Sequence, residues 1–355
     1  MKTILVTGAL GYLGSVLTHY LTNNNFSVVG YDTGFFKNAL ICPEYSSNTI
    51  IKDARSIDDN DIRGIYAVVH LAGISNDPIG KLDPALVYDP TRAYTDKIAR
   101  LCKKHGVKFI FASSCSVYGI GDDDFLTETS KTNPQTSYSL NKVQIESDLQ
   151  SLSDKKFSPI ALRFATAFGP SPRIRFDIVI NMLAGMAVSS KSIILNSNGM
   201  SWRPNVHILD ICKSIKCAID IDYKEDNLLI VNIGSDNNNL RVIDIAKIVQ
   251  KIVPQCDLKF LEENPNLDTH GLVRDRKIKN GDDTRTYKVS FEKVMKVFPD
   301  FNCEWGIESG VENLTKFLLN LKLNQSTFNS HNYYRLQKLE ELFSEGLISE
   351  DLKWK

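Results

Sequence analysis

Short apolar runs alternate with helical patterns through the first half of the chain. Strand-like runs cover Thr3–Thr7, Ser27–Asp32, 49–52, 67–72, 108–113 and 159–164, and helical patterns intervene near 11–23, Pro84–His105 and Ser137–Leu152. Several of the strands are apolar at consecutive positions, as in Ala67-Val-Val-His-Leu-Ala72, which is how a strand covered by helices on both faces reads. The alternation predicts an α/β fold, a doubly wound parallel sheet over residues 1–168. Beyond Gly169 the order changes. Pro170, Pro172, Arg173 and Arg175 open a segment of mixed helix and short strands, read as a smaller substrate domain over 169–322. Inside it, 207–220 followed by 228–234 again reads helix then buried strand, so part of 205–235 is expected to rejoin the first sheet. Residues 323–355 read as a linker and a helical tail. The tail helix, expected over 333–344 and ended by Gly346, carries one apolar stripe of Tyr333, Leu336, Leu339, Leu342 and Phe343. That stripe either packs on its own chain or serves as a partner surface or a flap over the substrate.

The first strand runs into Gly8, Gly11 and Gly14 and then an amphipathic helix. Glycines at such a turn let the backbone approach a ligand closely. The helix start offers N–H groups and a partial positive charge to a diphosphate. The spacing is Gly-x-x-Gly-x-x-Gly, not the Gly-x-Gly-x-x-Gly of the commonest dinucleotide fingerprint, and tight strand–helix packing alone also uses glycine. The second strand ends in Asp32, 18 residues after Gly14. A carboxylate there accepts hydrogen bonds from both ribose hydroxyls and repels a 2′-phosphate, which favours NAD over NADP. Lys37 is the one nearby basic residue that argues otherwise.

Composition excludes several alternatives. The 355 residues are 43% hydrophobic, and 42 basic residues balance 42 acidic ones, an ordinary globular composition with no footprint for nucleic acid or an anionic membrane. A strand begins within a few residues of Met1, which does not read as a signal peptide. No apolar run reaches the roughly 18 residues of a membrane span, and a cytoplasmic location is expected. The seven cysteines, Cys42, Cys102, Cys115, Cys212, Cys217, Cys256 and Cys303, are scattered with no Cys-x-x-Cys or histidine cluster. Reduced thiols and no catalytic metal are the expectation.

Two further clusters carry chemistry. Phe111-Ala-Ser-Ser-Cys-Ser-Val-Tyr-Gly119 closes the fifth strand, and Tyr138-Ser-Leu-Asn-Lys142 opens a helix, with Tyr138 and Lys142 on one helical face. Ligands bind at the carboxyl ends of strands in such sheets, where Ser113 and Ser114 fall. A phenol ionises near 10, too high for a base at neutral pH. An ammonium about 4 Å away, at an effective dielectric near 20, contributes about 4 kcal/mol, or about three pKa units. A base so activated can take a proton from a sugar hydroxyl while hydride leaves the same carbon, with Ser114 steadying the developing charge.

Taken together, Thr7-Gly-Ala-Leu-Gly-Tyr-Leu-Gly14, Asp32, Lys52-Asp-Ala54, His70-Leu-Ala-Gly73, Ser113-Ser-Cys-Ser-Val-Tyr-Gly119 and Tyr138-Ser-Leu-Asn-Lys142 resemble the extended short-chain dehydrogenase/reductase family, in its nucleotide-sugar epimerase/dehydratase branch. The likeness runs to about Leu321. It implies NAD lying across Gly8, Gly11, Tyr12 and Leu13, with Asp32 at the adenosine ribose and Asp53 and Ala54 at the adenine. Leu71, Ala72 and Gly73 would meet the middle of the cofactor. Ser114, Tyr138 and Lys142 would form the catalytic triad, Tyr138 and Lys142 also contacting the nicotinamide ribose. The resemblance further implies a homodimer through the helices Pro84–His105 and Ser137–Leu152. Arg163-Phe-Ala-Thr-Ala-Phe-Gly-Pro170, with Thr166 where asparagine is usual, Trp202-Arg203-Pro204-Asn-Val-His207 and Asp283-x-Arg285-x-Tyr287 resemble the family's substrate segments. Arg203 and Arg285 would hold the sugar nucleotide's diphosphate.

Departures from the family pattern bear on the reaction. Hexose 4,6-dehydratases of this branch follow the catalytic Ser/Thr with Asp-Glu, where this chain has Cys115 and Ser116, and Thr91 replaces another common asparagine. Cys115 either acts as an acid/base at a neighbouring carbon or packs beneath the sugar. The resulting expectation is NAD-dependent epimerisation of a nucleotide-diphosphate sugar through a transient 4-keto intermediate. A 4-dehydrogenase or 4-reductase, an atypical dehydratase, and a non-catalytic NAD sensor or scaffold are the alternatives. Arg173 and Arg175 face either the sugar or a second subunit.

Overall fold

The strands run parallel because each is separated from the next by a chain segment long enough to cross back over the sheet. In a computed structural model, which describes residues 1–42, 45, 48–75, 83–263 and 285–355, seven strands pair in the order Leu229–Ile233, Ile160–Phe164, Lys108–Ser114, Ala67–His70, Thr3–Thr7, Ser27–Asp32, Ile50–Ile51. Every pair is parallel. The order turns back on itself at Thr3–Thr7, so a crevice opens beside this strand at the carboxyl edge, where open α/β sheets bind ligands. Thr7, Asp32, His70 and Ser114 all end their strands at that edge.

Both faces are covered, in agreement with the continuous apolar runs. On one face Leu17 and Leu21 of the helix Tyr12–Asn23 and Ile211 and Ile215 of Ile208–Asp220 pack on Ile4, Val6 and Val69. On the other, Ile98 of Pro84–His105 and Ile145 and Leu149 of Ser137–Leu152 pack on Leu5, Val68 and Phe109. Two strands are shorter than the pattern predicts. The fourth stops at His70 because the next two amides turn aside, Leu71 N donating to the Thr7 carbonyl at 3.1 Å and Ala72 N to Thr7 Oγ1 at 3.2 Å. The edge strand keeps only Ile50 and Ile51, both exposed.

Among the described residues three small sheets lie outside the main one, built mostly from strands beyond Gly169. Thr166–Phe168, Trp202–His207 and Asn239–Arg241 make one; Ser192–Leu195 pairs with Asp257–Phe260, and Ile120–Leu126 with Thr286–Val289. A second apolar core gathers Phe168, Phe176, Leu183, Ile245 and Leu314 with Phe328, Tyr333 and Tyr334 from the tail. The tail helix spans Arg335–Ser344, preceded by a 3₁₀ turn at His331–Tyr333. Its stripe docks on the chain itself: Leu339 and Leu342 pack with Phe35, Val87, Tyr88, Ile348 and Leu352, while Phe343 stays 39% exposed. The last residues continue across the same end of the sheet. Arg55 donates to the Asp351 and Leu352 carbonyls at 2.7 and 2.6 Å, and the Trp354 indole donates to the Thr33 carbonyl at 2.6 Å. No described helix is long and apolar enough to cross a membrane. Leu339 is 1% exposed, so Leu339→Ala should cost about 2–5 kcal/mol, measured by urea denaturation.

Candidate active site

The glycine-rich turn is shaped by what a side chain would strike. Gly8 has φ +76, and a Cβ there would lie 2.9 Å from Ala72 N, so the turn sits directly against the loop 71–73. A Cβ on Gly14 would overlap the Gly8 carbonyl oxygen. Gly11 is the N-cap of the helix Tyr12–Asn23, and no side chain caps it, which leaves the helix start to a ligand. The glycines thus let the turn close on its own backbone, and the helix start keeps the uncapped N–H groups that a diphosphate would use.

The neighbouring contacts bind the cradle into the fold. The Tyr12 hydroxyl donates to the Gly169 carbonyl at 2.8 Å and is buried, with burial pushing its pKa up, so Tyr12 offers the cleft its backbone and not its phenol. Leu13 packs against the core. Asp32 accepts from Leu10 N at 3.0 Å and Gly34 N at 2.7 Å; burial raises its carboxyl, and these amides, with Arg335 and Arg173, pull it back. Asp53 caps the short turn Ala54–Ser56, and its carboxylate is gripped by Arg55 at 2.5 Å, while Ala54 is buried in the core. Gly73, at φ +156, lies over Thr91 and Tyr94. His70, the first residue of the His-Leu-Ala-Gly run, is a neutral core group: burial drives it down to about 3, and its ring nitrogens meet Thr7 Oγ1 at 2.8 Å and Thr95 Oγ1 at 3.0 Å.

Tyr138 and Lys142 stand on the first turns of Ser137–Leu152, a helix begun by a capping box between Thr136 and Ser139. Lys142 Nζ lies 5.4 Å from the Tyr138 ring centroid and 4.5 Å over the Phe111 ring, and donates to the Ala112 carbonyl at 2.7 Å. The lysine is thus tied to the strand that ends in Ser113 and Ser114. Burial lowers its proton affinity to about 8, with Glu146 opposing. The two serines face different partners, as alternate strand positions must. Ser113 Oγ donates to Glu146 Oε1 at 2.5 Å inside the core, whereas Ser114 Oγ accepts from Ser116 N at 3.1 Å at the strand end.

A buried ion pair that the sequence reading did not single out fixes this helix. Glu146 binds Arg163 through two hydrogen bonds, at 3.0 and 2.6 Å, and Arg163 also donates to the Tyr118 hydroxyl at 2.9 Å. Burial opposes the charge on Arg163, but the Glu146 carboxylate holds its proton affinity above the ordinary arginine value. The spacing puts Glu146 four residues after Lys142 on the same helical face, but nothing local names Arg163 as its partner.

The residues expected at the substrate separate into two groups. Cys115 is 1% exposed, its thiol against the Arg163 carbonyl at 3.2 Å and its pKa pushed up by burial. This side chain packs in the core beneath the strand end, the second of the two readings its position allowed. Thr166 and Arg203 lie on adjacent paired strands, Thr166 opposite Asn205. The Arg203 guanidinium bonds the Arg285 carbonyl, so these two arginines are neighbours. Tyr287 is buried, and Asp283 lies outside the described residues. Arg175 binds Asp177 at 2.8 Å and Ser75 Oγ at 2.8 Å.

The model of the NAD dependent epimerase/dehydratase family matches residues 4–234. The chain belongs to that family. It is accordingly an NAD-dependent enzyme with a Rossmann-like sheet. Among curated relatives, a UDP-glucose 4-epimerase of Bacillus subtilis (strain 168) is 24% identical over 291 residues, covering 74% of this chain and 86% of that protein. Among solved structures, TunA, an NAD dependent-NDP-hexosamine 5,6-dehydratase involved in tunicamycin biosynthesis, superposes with TM-score 0.74 at 20% identity over 90% of this chain and 98% of its own. A UDP-N-acetylglucosamine 4-epimerase from Methanobrevibacter ruminantium M1, in complex with UDP-N-acetylmuramic acid, gives 0.73 at 21% identity, again over 90% and 98%. Both likenesses concern the fold shared by epimerase/dehydratase enzymes.

Two outcomes test the site. Glu146→Ala strands the buried Arg163 charge and should destabilise the fold by about 3–5 kcal/mol in chemical denaturation. Lys142 releases its proton near 8 when folded and near its ordinary 10.5 when unfolded. Between those values the unfolded chain holds more protons, so stability from this group rises with pH across that window and is lowest below it. Lys142→Met should therefore raise the melting temperature of the cofactor-free protein at pH 7 and flatten its rise with pH, read by differential scanning calorimetry.

Proposed function

We propose that the enzyme epimerises a nucleotide-diphosphate sugar at C4 through a transient ketone. The observation that carries this reading is the pairing of Tyr138 and Lys142 at the carboxyl edge of the sheet, together with a buried, core-facing Cys115 and Ser116 at the places where the resemblance implies Asp-Glu in a hexose 4,6-dehydratase. A thiol held in its neutral form in the core offers neither the acid nor the base that water elimination across C5–C6 requires.

In this mechanism Tyr138 takes the proton of the C4 hydroxyl. The Lys142 ammonium, still charged at neutral pH, favours the phenolate. Ser114 Oγ accepts from Ser116 N and so keeps its own proton to donate to the reacting oxygen. Bound NAD supplies a reversible hydride acceptor at the same carbon. Arg203 and Arg285, brought together at one sheet end, hold the diphosphate of the sugar nucleotide while the keto sugar turns to present its other face. Relatives named as UDP-glucose 4-epimerases support this choice of substrate class.

The test is an NMR assay of the purified enzyme with UDP-, GDP-, CDP- and dTDP-sugars. A C4 epimer should accumulate with no net NADH and no loss of water, and Tyr138→Phe should lower kcat by about a hundredfold or more while leaving substrate binding intact. Stoichiometric NADH or a dehydrated product would replace the epimerase reading with one of its alternatives.

A further inference from the structure

Three arginines meet beside the glycine-rich turn, with Asp177 and Asp32 as the carboxylates that act on them. Arg175 takes the carboxylate of Asp177 at 2.8 Å. Arg173 and Arg335 are each 5% exposed, yet Arg173 Nε and Arg335 Nη1 are buried with no hydrogen-bond partner among the described residues. A buried cationic donor left without an acceptor is costly, and such an arrangement persists where a ligand completes it. Arg335 stands under particular strain of charge: burial first, then the nearby Arg175, lower its proton affinity to about 9.

The partners of these two side chains place them on the dinucleotide side of the cleft. Arg173 Nη1 donates to the Phe36 and Lys37 carbonyls, both at 2.8 Å, in the loop that follows Asp32. Its own amide donates to Ser171 Oγ at 3.1 Å, and Ser171 donates in turn to the Tyr12 carbonyl at 2.9 Å, on the first turn of the glycine-rich helix. Arg335 donates to the Arg173 carbonyl at 3.2 Å and lies 4.2 Å over the Phe36 ring. Both guanidinium groups act electrostatically on Asp32. Arg203 and Arg285, by contrast, sit together on the small sheets of the second region.

We propose that Arg173 and Arg335 bind the diphosphate of the dinucleotide, Arg335 being delivered to the cleft by the C-terminal tail. The proposal rests on the use of NAD, and it extends the cofactor site from the first strand–turn–helix to Arg173 and, more than 300 positions away, to Arg335. Two guanidinium groups with free N–H donors match the oxygens of a diphosphate, whose double negative charge also relieves the crowding of three cations. The tail is thereby part of the cofactor site, not only its cover.

NADH titration followed by fluorescence tests this on the full chain. Arg335→Gln and Arg173→Gln should each weaken NADH and ADP-ribose by about tenfold or more, leave UDP binding unchanged, and make NADH binding less sensitive to salt. The cofactor-free melting temperature of Arg335→Gln should stay at or above that of the unsubstituted protein, whereas an arginine with only a packing role would lower it. In the unsubstituted protein, inorganic pyrophosphate should compete with NADH. Unchanged NADH affinity in both variants, a loss that falls on UDP instead, or a pyrophosphate that does not compete would overturn the proposal. Should Arg335→Gln not fold, Arg335→Lys decides, since a point charge without the planar fork should still bind NADH more weakly, and equal affinity refutes the assignment. An unsubstituted protein that binds no NADH at all would remove the NAD reading itself, a different failure from either.

Discussion

The arrangement of the site depends on one buried ion pair. Glu146 and Arg163 join the helix that carries Tyr138 and Lys142 to the strand Ile160–Phe164, at 2.6 Å and with little access to water. Such a pair need not add net stability, because two charges have been taken out of solvent to make it. What it supplies is position. Ser113 and Tyr118 add one further hydrogen bond to each member of the pair, which ties the helix to two more elements of the sheet edge. Lys142, one turn before Glu146, is then held over Phe111 and against the Ala112 carbonyl. An ammonium kept in so dry a place has a depressed proton affinity, and the fold accepts that cost in the same element it secures with the ion pair.

A second theme is how much of the cleft is built by backbone. Thr7 stops the fourth strand by accepting from two successive amides, and that turn is what brings Leu71 and Ala72 against Gly8. The absence of a side chain at Gly8 and Gly14 is as specific a requirement as the presence of a base elsewhere. Arg55 works in the same manner, its guanidinium capping two tail carbonyls while it grips Asp53.

Much of this was legible from residue order. The alternation of apolar runs with helical patterns identifies the doubly wound sheet because strands covered on both faces must be apolar at consecutive positions. Tyr138 and Lys142 could be read from their spacing because a helix turns local sequence into a shared face. Side-chain direction at a strand end was harder. Cys115 follows two serines that face opposite ways, and only the packing of the following turn decides that its thiol enters the core. The contact of Glu146 with Arg163 joins two elements, so no local pattern specifies it. Arg335 was illegible for a similar reason: at the start of an amphipathic helix it reads as a solubilising charge, and its burial arises from a docking surface contributed by residues near Asp32 and Asp177.

The bond from the Trp354 indole to the Thr33 carbonyl closes a span of 321 residues. The entropy lost in closing a chain loop grows only with the logarithm of its length, so this contact is less costly than its span suggests once the sheet has formed. A terminal segment held by a few such contacts is also among the first to detach in thermal fluctuations, well below the free energy of global unfolding. Detachment of the tail would therefore uncover Phe35 and the loop after Asp32 before the strands themselves separate.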